Sequence, residues 1–258
     1  GTASPSMFFG SNTGVFRIFP ARHSRECGRY DPRTRPWYQA SVPSTISNEV
    51  KPRNVVILMD TSRSMNSTMD QRTRETKLKY MKKAVESTVS SLSTKASIAV
   101  IRFGEQPSLV GRSGSSDPFL WRQATASHKE RLIKEINSID VRGRSNWVAA
   151  FNFAFKLIQN SLRHIQAIDE HACELENIGL LFFSDGEYNL PEGVTDEDIV
   201  ELVSSKVDKV ETMGDSHVHT FLYSFGSRDS ISKQISCAVD GYWTPVNSAM
   251  APGNVTSG

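Results

Sequence analysis

Residues 54–60, NVVILMD, are apolar at both alternating sets of positions. A strand with two apolar faces must be covered on both sides, as strands are in a parallel sheet with helices packed on each face. Three further runs have strand character, ASIAVIRFG (96–104), NIGLLFFSD (177–185) and HVHTFLYSFG (217–226). Between and after them the period changes. TKLKYMKKAVESTVSSL places Leu78, Met81, Val85, Val89 and Leu92 along one helical stripe. HKERLIKEINSI, the more apolar SNWVAAFNFAFKLIQNSL, DEDIVELVSSKVDKV and the short SRDSISKQISCAV also read as helices. Thr195 or Asp196 is placed to cap the fourth of these five helices. GYWTPV reads as an edge strand ended by Pro245. Repeated strand–helix alternation predicts an α/β fold: a doubly wound, mostly parallel sheet with helices on both faces.

The first fifty residues lack this rhythm. They are rich in Gly, Pro, Arg and aromatics. GVFRIFP alternates like a short strand, and the two prolines of YDPRTRPWY impose extended backbone. SVPSTISNEVKPR reads as a linker, and GRSGSSDP (111–118) as a surface loop. The expected organisation is a partial α+β segment over 1–45, a linker over 46–53, the α/β domain over 54–248 and a tail over 249–258.

Composition narrows the function classes. With 38% hydrophobic residues and a net charge of +2 from 30 basic and 28 acidic residues, the chain is that of an ordinary globular protein. That balance offers no footprint for nucleic acid. No run reaches the roughly 20 apolar residues of a membrane helix. The chain begins at Gly1, so the expectation is a piece of something longer, with any membrane anchor elsewhere. Cys27, Cys173 and Cys237 are too widely spaced for a zinc pattern. They read as buried thiols or, in an oxidising compartment, as one pair plus a cysteine bonded outside the chain. Asn66-Ser67-Thr68 and Asn254-Val255-Thr256 are glycosylation sequons, which point towards secretion.

In doubly wound sheets, ligands bind beyond the carboxyl ends of the strands. Asp60, with Ser62 and Ser64 just after it, sits at the first strand end. Asp185 ends the central strand, and Ser145 opens the apolar helix before that strand. Five hard oxygen ligands should therefore meet on one face. With no His or Cys among them, zinc, copper and iron are disfavoured. Mg²⁺, which takes octahedral oxygen ligands with few carboxylates, fits. Two carboxylates and three neutral hydroxyls leave a divalent ion open to another anionic oxygen, such as a partner's carboxylate. The competing reading makes these residues loop aspartates and helix caps.

DTSRS, the serine of GRSN and the aspartate of FFSDG resemble the metal-ion-dependent adhesion site of von Willebrand factor A domains. Ser145 replaces the family's threonine and keeps the hydroxyl. The resemblance covers about Asn54 to Asn247. It implies a Rossmann-like A domain binding Mg²⁺ or Ca²⁺ through Asp60, Ser62, Ser64, Ser145 and Asp185.

YDPRTRPWY resembles the amino-acid-binding signature of extracellular Cache sensor domains. That likeness implies Arg35 as a carboxylate clamp, with Tyr30, Trp37 and Tyr38 as pocket walls, although Arg33 fits the clamp equally well. FFGSNTG, FRIFP, YDPRTRPWY and VVILMDTSRS follow the order seen in the alpha-2-delta auxiliary subunits of voltage-gated calcium channels, in which an A domain interrupts a Cache domain. ISCAVDGYWTPV and HACELENIGLLFFSDG resemble further segments of that family, each with a cysteine. The resemblance implies an extracellular, cell-surface glycoprotein module, not an enzyme, that grips a channel loop or another surface protein through its metal. The alternative it leaves open is an amino-acid sensor with the A domain as transmitter. An enzyme would need a phosphate-binding glycine loop or a base near the cluster, and neither is present. An intracellular A domain of an ATPase complex fits poorly with the sequons and the Cache-like segment.

Overall fold

The computed structural model describes residues 7–10, 16–19, 54–111, 121–168, 177–213, 216–226 and 229–246. The chain forms two compact units, residues 1–51 and 52–258. In the first, β1 (Met7–Gly10) pairs antiparallel with β2 (Phe16–Phe19), which includes the strand expected in GVFRIFP. Cys27, Tyr30, Arg33, Arg35, Trp37, Tyr38, Cys173 and Asn254 lie outside the described residues, as do the linker and most of the 111–118 loop.

The second unit is an α/β sandwich. Its sheet holds β3 (Asn54–Asp60), β6 (Ser97–Phe103), β9 (Asn177–Ser184), β10 (His217–Phe225) and β11 (Tyr242–Val246), all parallel, in the order β11-β10-β9-β3-β6. Two short antiparallel strands, β7 (Ser108–Leu109) and β8 (Arg122–Gln123), pair with β6 beyond it. All seven residues of β3 are buried, as a strand apolar on both faces requires.

The alternation of β3 divides the core in two. Val56 and Leu58 face a layer containing α3 (Trp147–Ile168), α4 (Asp196–Glu211) and α5 (Ser230–Ala238). Val55, Ile57 and Met59 face α1 (Lys77–Ser91) and α2 (Ala126–Ser138). Of the stripe expected on α1, Leu78, Met81, Val85 and Val89 are buried, and Leu92 packs at the margin. Thr195, not Asp196, caps α4, in a reciprocal capping box with Asp198.

Some boundaries depart from expectation. β11 runs through Pro245 to Val246 instead of ending at the proline, which an edge strand tolerates. The helix expected from Ser145 begins at Trp147, because Asn146 takes the capping role and its Oδ1 accepts from Ala149 N at 3.0 Å. Ser145 is thereby left in the loop, with its hydroxyl free to face the sheet. A second feature has no periodic signal. Between β3 and α1 the chain makes a 3₁₀ turn, Arg63–Asn66, and a small antiparallel pair, β4 (Thr68–Asp70) and β5 (Glu75–Thr76).

Strand order reverses at the β3–β9 junction. From β3 the chain crosses outward to β6, and from β9 it moves the other way to β10 and β11. The loops leaving β3 and β9 therefore diverge and open a crevice at their carboxyl ends.

Candidate metal centre

Asp60 is the last residue of β3, and Asp185 directly follows β9. Both are fully buried at that crevice. The loop after β3 is held on its neighbours by backbone bonds. Thr61 N donates to Phe103 O at 2.7 Å, Arg142 N to Thr61 O at 2.6 Å, and Arg63 N to Gly143 O at 3.2 Å. Gly104 permits this closeness, since a Cβ there would lie 2.6 Å from Arg142 O. Asn146 N to Gly104 O, 3.0 Å, and Asn189 N to Ser145 O, 2.7 Å, then fix the backbone around Ser145.

The five sequence-selected residues meet in one hydrogen-bonded string. Ser145 Oγ donates to Asp60 Oδ2 at 2.8 Å, and Ser62 N donates to Asp60 Oδ1 at 2.9 Å. The Ser62 and Ser64 hydroxyls are 3.0 Å apart, and Ser64 Oγ donates to Asp185 Oδ1 at 3.1 Å. Burial pushes the Asp60 carboxyl up to about 6, against hydrogen bonds from Ser62, Ser184 and Ser145 that favour its charged form.

Three contributors carry no motif. Ser184 Oγ donates to Asp60 Oδ2 at 2.7 Å. Trp147, wholly buried, donates its Nε1–H to Ser145 Oγ at 3.1 Å and packs against Phe182 and Tyr188 with ring centroids 4.8 and 4.6 Å away. Lys77, the first residue of α1, places Nζ 2.9 Å from Asp185 Oδ2. Lys77 had a faint sequence signal, because a cation in the first turn opposes the helix dipole. Ser184 and Trp147 had none.

The donor set fits a hard divalent cation. It has two buried carboxylates and three hydroxyls, with no nitrogen or sulfur. Among the described residues no group of three or more His, Cys, Asp or Glu could hold a metal ion. No described helix is long and apolar enough to cross a membrane. Cys237 is disulfide-bonded.

The chain is 28% identical over 246 residues to the human voltage-dependent calcium channel subunit alpha-2/delta-2, an alignment covering 93% of this chain and 18% of that protein. It is 31% identical over 156 residues to the mouse protein of the same name, covering 59% of this chain and 12% of the relative. It thus spans less than a fifth of the length of these relatives. Among solved structures, a von Willebrand factor type A protein from Catenulispora acidiphila superposes with a TM-score of 0.54 at 16% identity, over 77% of this chain and 39% of that one. The family model for the von Willebrand factor type A domain matches residues 55–187, from β3 to just past Asp185. This chain belongs to the von Willebrand factor type A domain family.

Proposed function

We propose that this chain is a non-enzymatic, metal-dependent protein-binding module of an alpha-2-delta-like extracellular auxiliary subunit of a voltage-gated calcium channel. The observation that carries the reading is the unbroken string from Asp185 through Ser64 and Ser62 to Asp60 and Ser145, at the crevice where strand order reverses. In this reading the five residues hold Mg²⁺ or Ca²⁺. The metal supplies a Lewis-acidic position that takes a carboxylate oxygen from the partner. The protein's own groups orient that position. Asp60 is fixed by three donors, and Ser145 is held by Trp147 and by its backbone. The likeness to the alpha-2/delta-2 subunits supports a channel as the partner.

The test is binding of this chain to the extracellular loops of a voltage-gated calcium channel's pore-forming subunit, read by biolayer interferometry. Binding in Mg²⁺ that disappears in EDTA, and that disappears with Asp60→Ala while this variant still melts cooperatively, is the expected result. Binding indifferent to both treatments would overturn the metal-dependent reading.

A further inference from the structure

Lys77 has no place in the five-residue set, yet it makes the only ion pair to that set among the described residues. Its Nζ lies 2.9 Å from Asp185 Oδ2, with the lysine side chain 12% exposed and the aspartate 0%. The position is unfavourable for a lysine on local grounds. It opens α1, where the peptide dipoles present positive charge. The stem lies in a prepared slot. Gly226, with φ +74°, follows β10, and a Cβ there would stand 3.1 Å from Lys77 Cε and 3.5 Å from Met69 Sδ. Gly226 N is itself anchored to Val246 O at 2.9 Å. A side chain at 226 would press on the lysine stem.

We infer that Lys77 is a tethered counter-ion of the metal site, whose ammonium competes with the divalent cation for Asp185; this rests on the metal-binding reading above. Asp185 Oδ1 already accepts from Ser64 Oγ and, at 3.2 Å, from Glu187 N. Its other oxygen is the one that Lys77 occupies. Asp60 and Asp185 carry two negative charges, and Lys77 returns one positive charge to the same cavity. A buried carboxylate without a counter-charge is strongly disfavoured. The lysine therefore stabilises the metal-free domain, and by linkage the same contact weakens metal affinity, because the incoming cation must displace it or bind against it. The site is set to load only where divalent cation is abundant.

The experiment titrates Mn²⁺ into the 258-residue chain and follows loss of the free-ion electron paramagnetic resonance signal. An opposite charge at this distance commonly lowers a carboxylate's affinity for a proton by a factor of about ten or more, and a metal cation competing for the same oxygen meets the same repulsion, so Lys77→Met should bind Mn²⁺ about tenfold more tightly than wild type. Lys77→Arg, which keeps the charge, should stay near wild type. In EDTA, Lys77→Met should melt below wild type, and saturating Mn²⁺ should narrow the gap. Lys77→Gln serves the same purpose should the methionine variant not fold. Wild-type binding with no tightening in the charge-removing variants would overturn this inference and leave the metal reading standing. Absence of Mn²⁺ binding in every protein would overturn both.

Discussion

Ser184 donates its hydroxyl to Asp60 across the junction of the two central strands, Oγ to Oδ2 at 2.7 Å. Both residues are buried, and the same carboxylate oxygen accepts from Ser145. Asp60 thus reaches the crevice pinned by the end of β9 and by the loop before α3.

Replacing Ser184 by Ala removes one donor from a buried carboxylate. A hydrogen bond to a charged group contributes about 1.5–3 kcal/mol, so chemical denaturation should show a loss in that range. Metal affinity should fall by less than in Asp60→Asn, since Ser184 positions the carboxylate without lying in the ligand set. Unchanged stability would show that the contact does not hold Asp60.

Trp147→Phe keeps most of the ring's burial and deletes the Nε1–H bond to Ser145. The expected cost is about 1 kcal/mol from the hydrogen bond, plus a packing loss against Phe182 and Tyr188. Ser145, freed from its donor, should bind metal several-fold more weakly. Equal metal affinity in the variant would remove Trp147 from the site.

His128 supplies a pH dependence remote from the crevice. It is buried on α2 with Nδ1 2.9 Å from the Arg131 guanidinium, an interaction in which the neutral ring accepts. Burial first, then Arg131 and Arg122, hold its imidazole below the ordinary histidine range, while Glu135 pulls the other way. The unfolded chain therefore binds this proton more readily than the folded one, and stability falls as pH drops below about 6.5. The melting temperature of wild type should decline more steeply between about pH 7 and about pH 5 than that of His128→Gln. Parallel curves would contradict the assignment.

Asn66 closes the 3₁₀ turn and is exposed, and Ser67 ties that turn to Ser64 by Ser67 N and Oγ bonding to Ser64 O at 3.0 and 2.7 Å. A glycan there would stand beside the proposed partner site. Glycopeptide mass spectrometry of secreted protein should find Asn66 unmodified and the glycan on Asn254. Full occupancy of Asn66 would weigh against a large protein partner.

Much of the domain was legible because its physical signals are local. Runs apolar on both faces imply a covered parallel sheet, and NVVILMD and NIGLLFFSD became its two central strands. Asp60 and Asp185 were legible because a strand end fixes where a side chain emerges. The β4–β5 pair was not, since strands of three and two residues, polar and partly exposed, have no period to read. Ser145 reads from sequence as a helix start, but the local Asn146 cap and the long-range bond from Ser145 Oγ to Asp60 leave it in the loop. Ser184, Trp147 and Lys77 act across sequence separations of 124, 2 and 108 residues. Two of these are set by topology. The third, Trp147 to Ser145, depends on a rotamer that the helix and core impose.

The central claim is that Asp60, Ser62, Ser64, Ser145 and Asp185 form a divalent-cation site. Isothermal calorimetry of Mg²⁺ into the chain tests it most directly. The account predicts a single saturable site in wild type, lost in both Asp60→Asn and Asp185→Asn while each variant still unfolds cooperatively. Absence of Mg²⁺ binding by the wild-type chain, or binding that survives both substitutions, would contradict it.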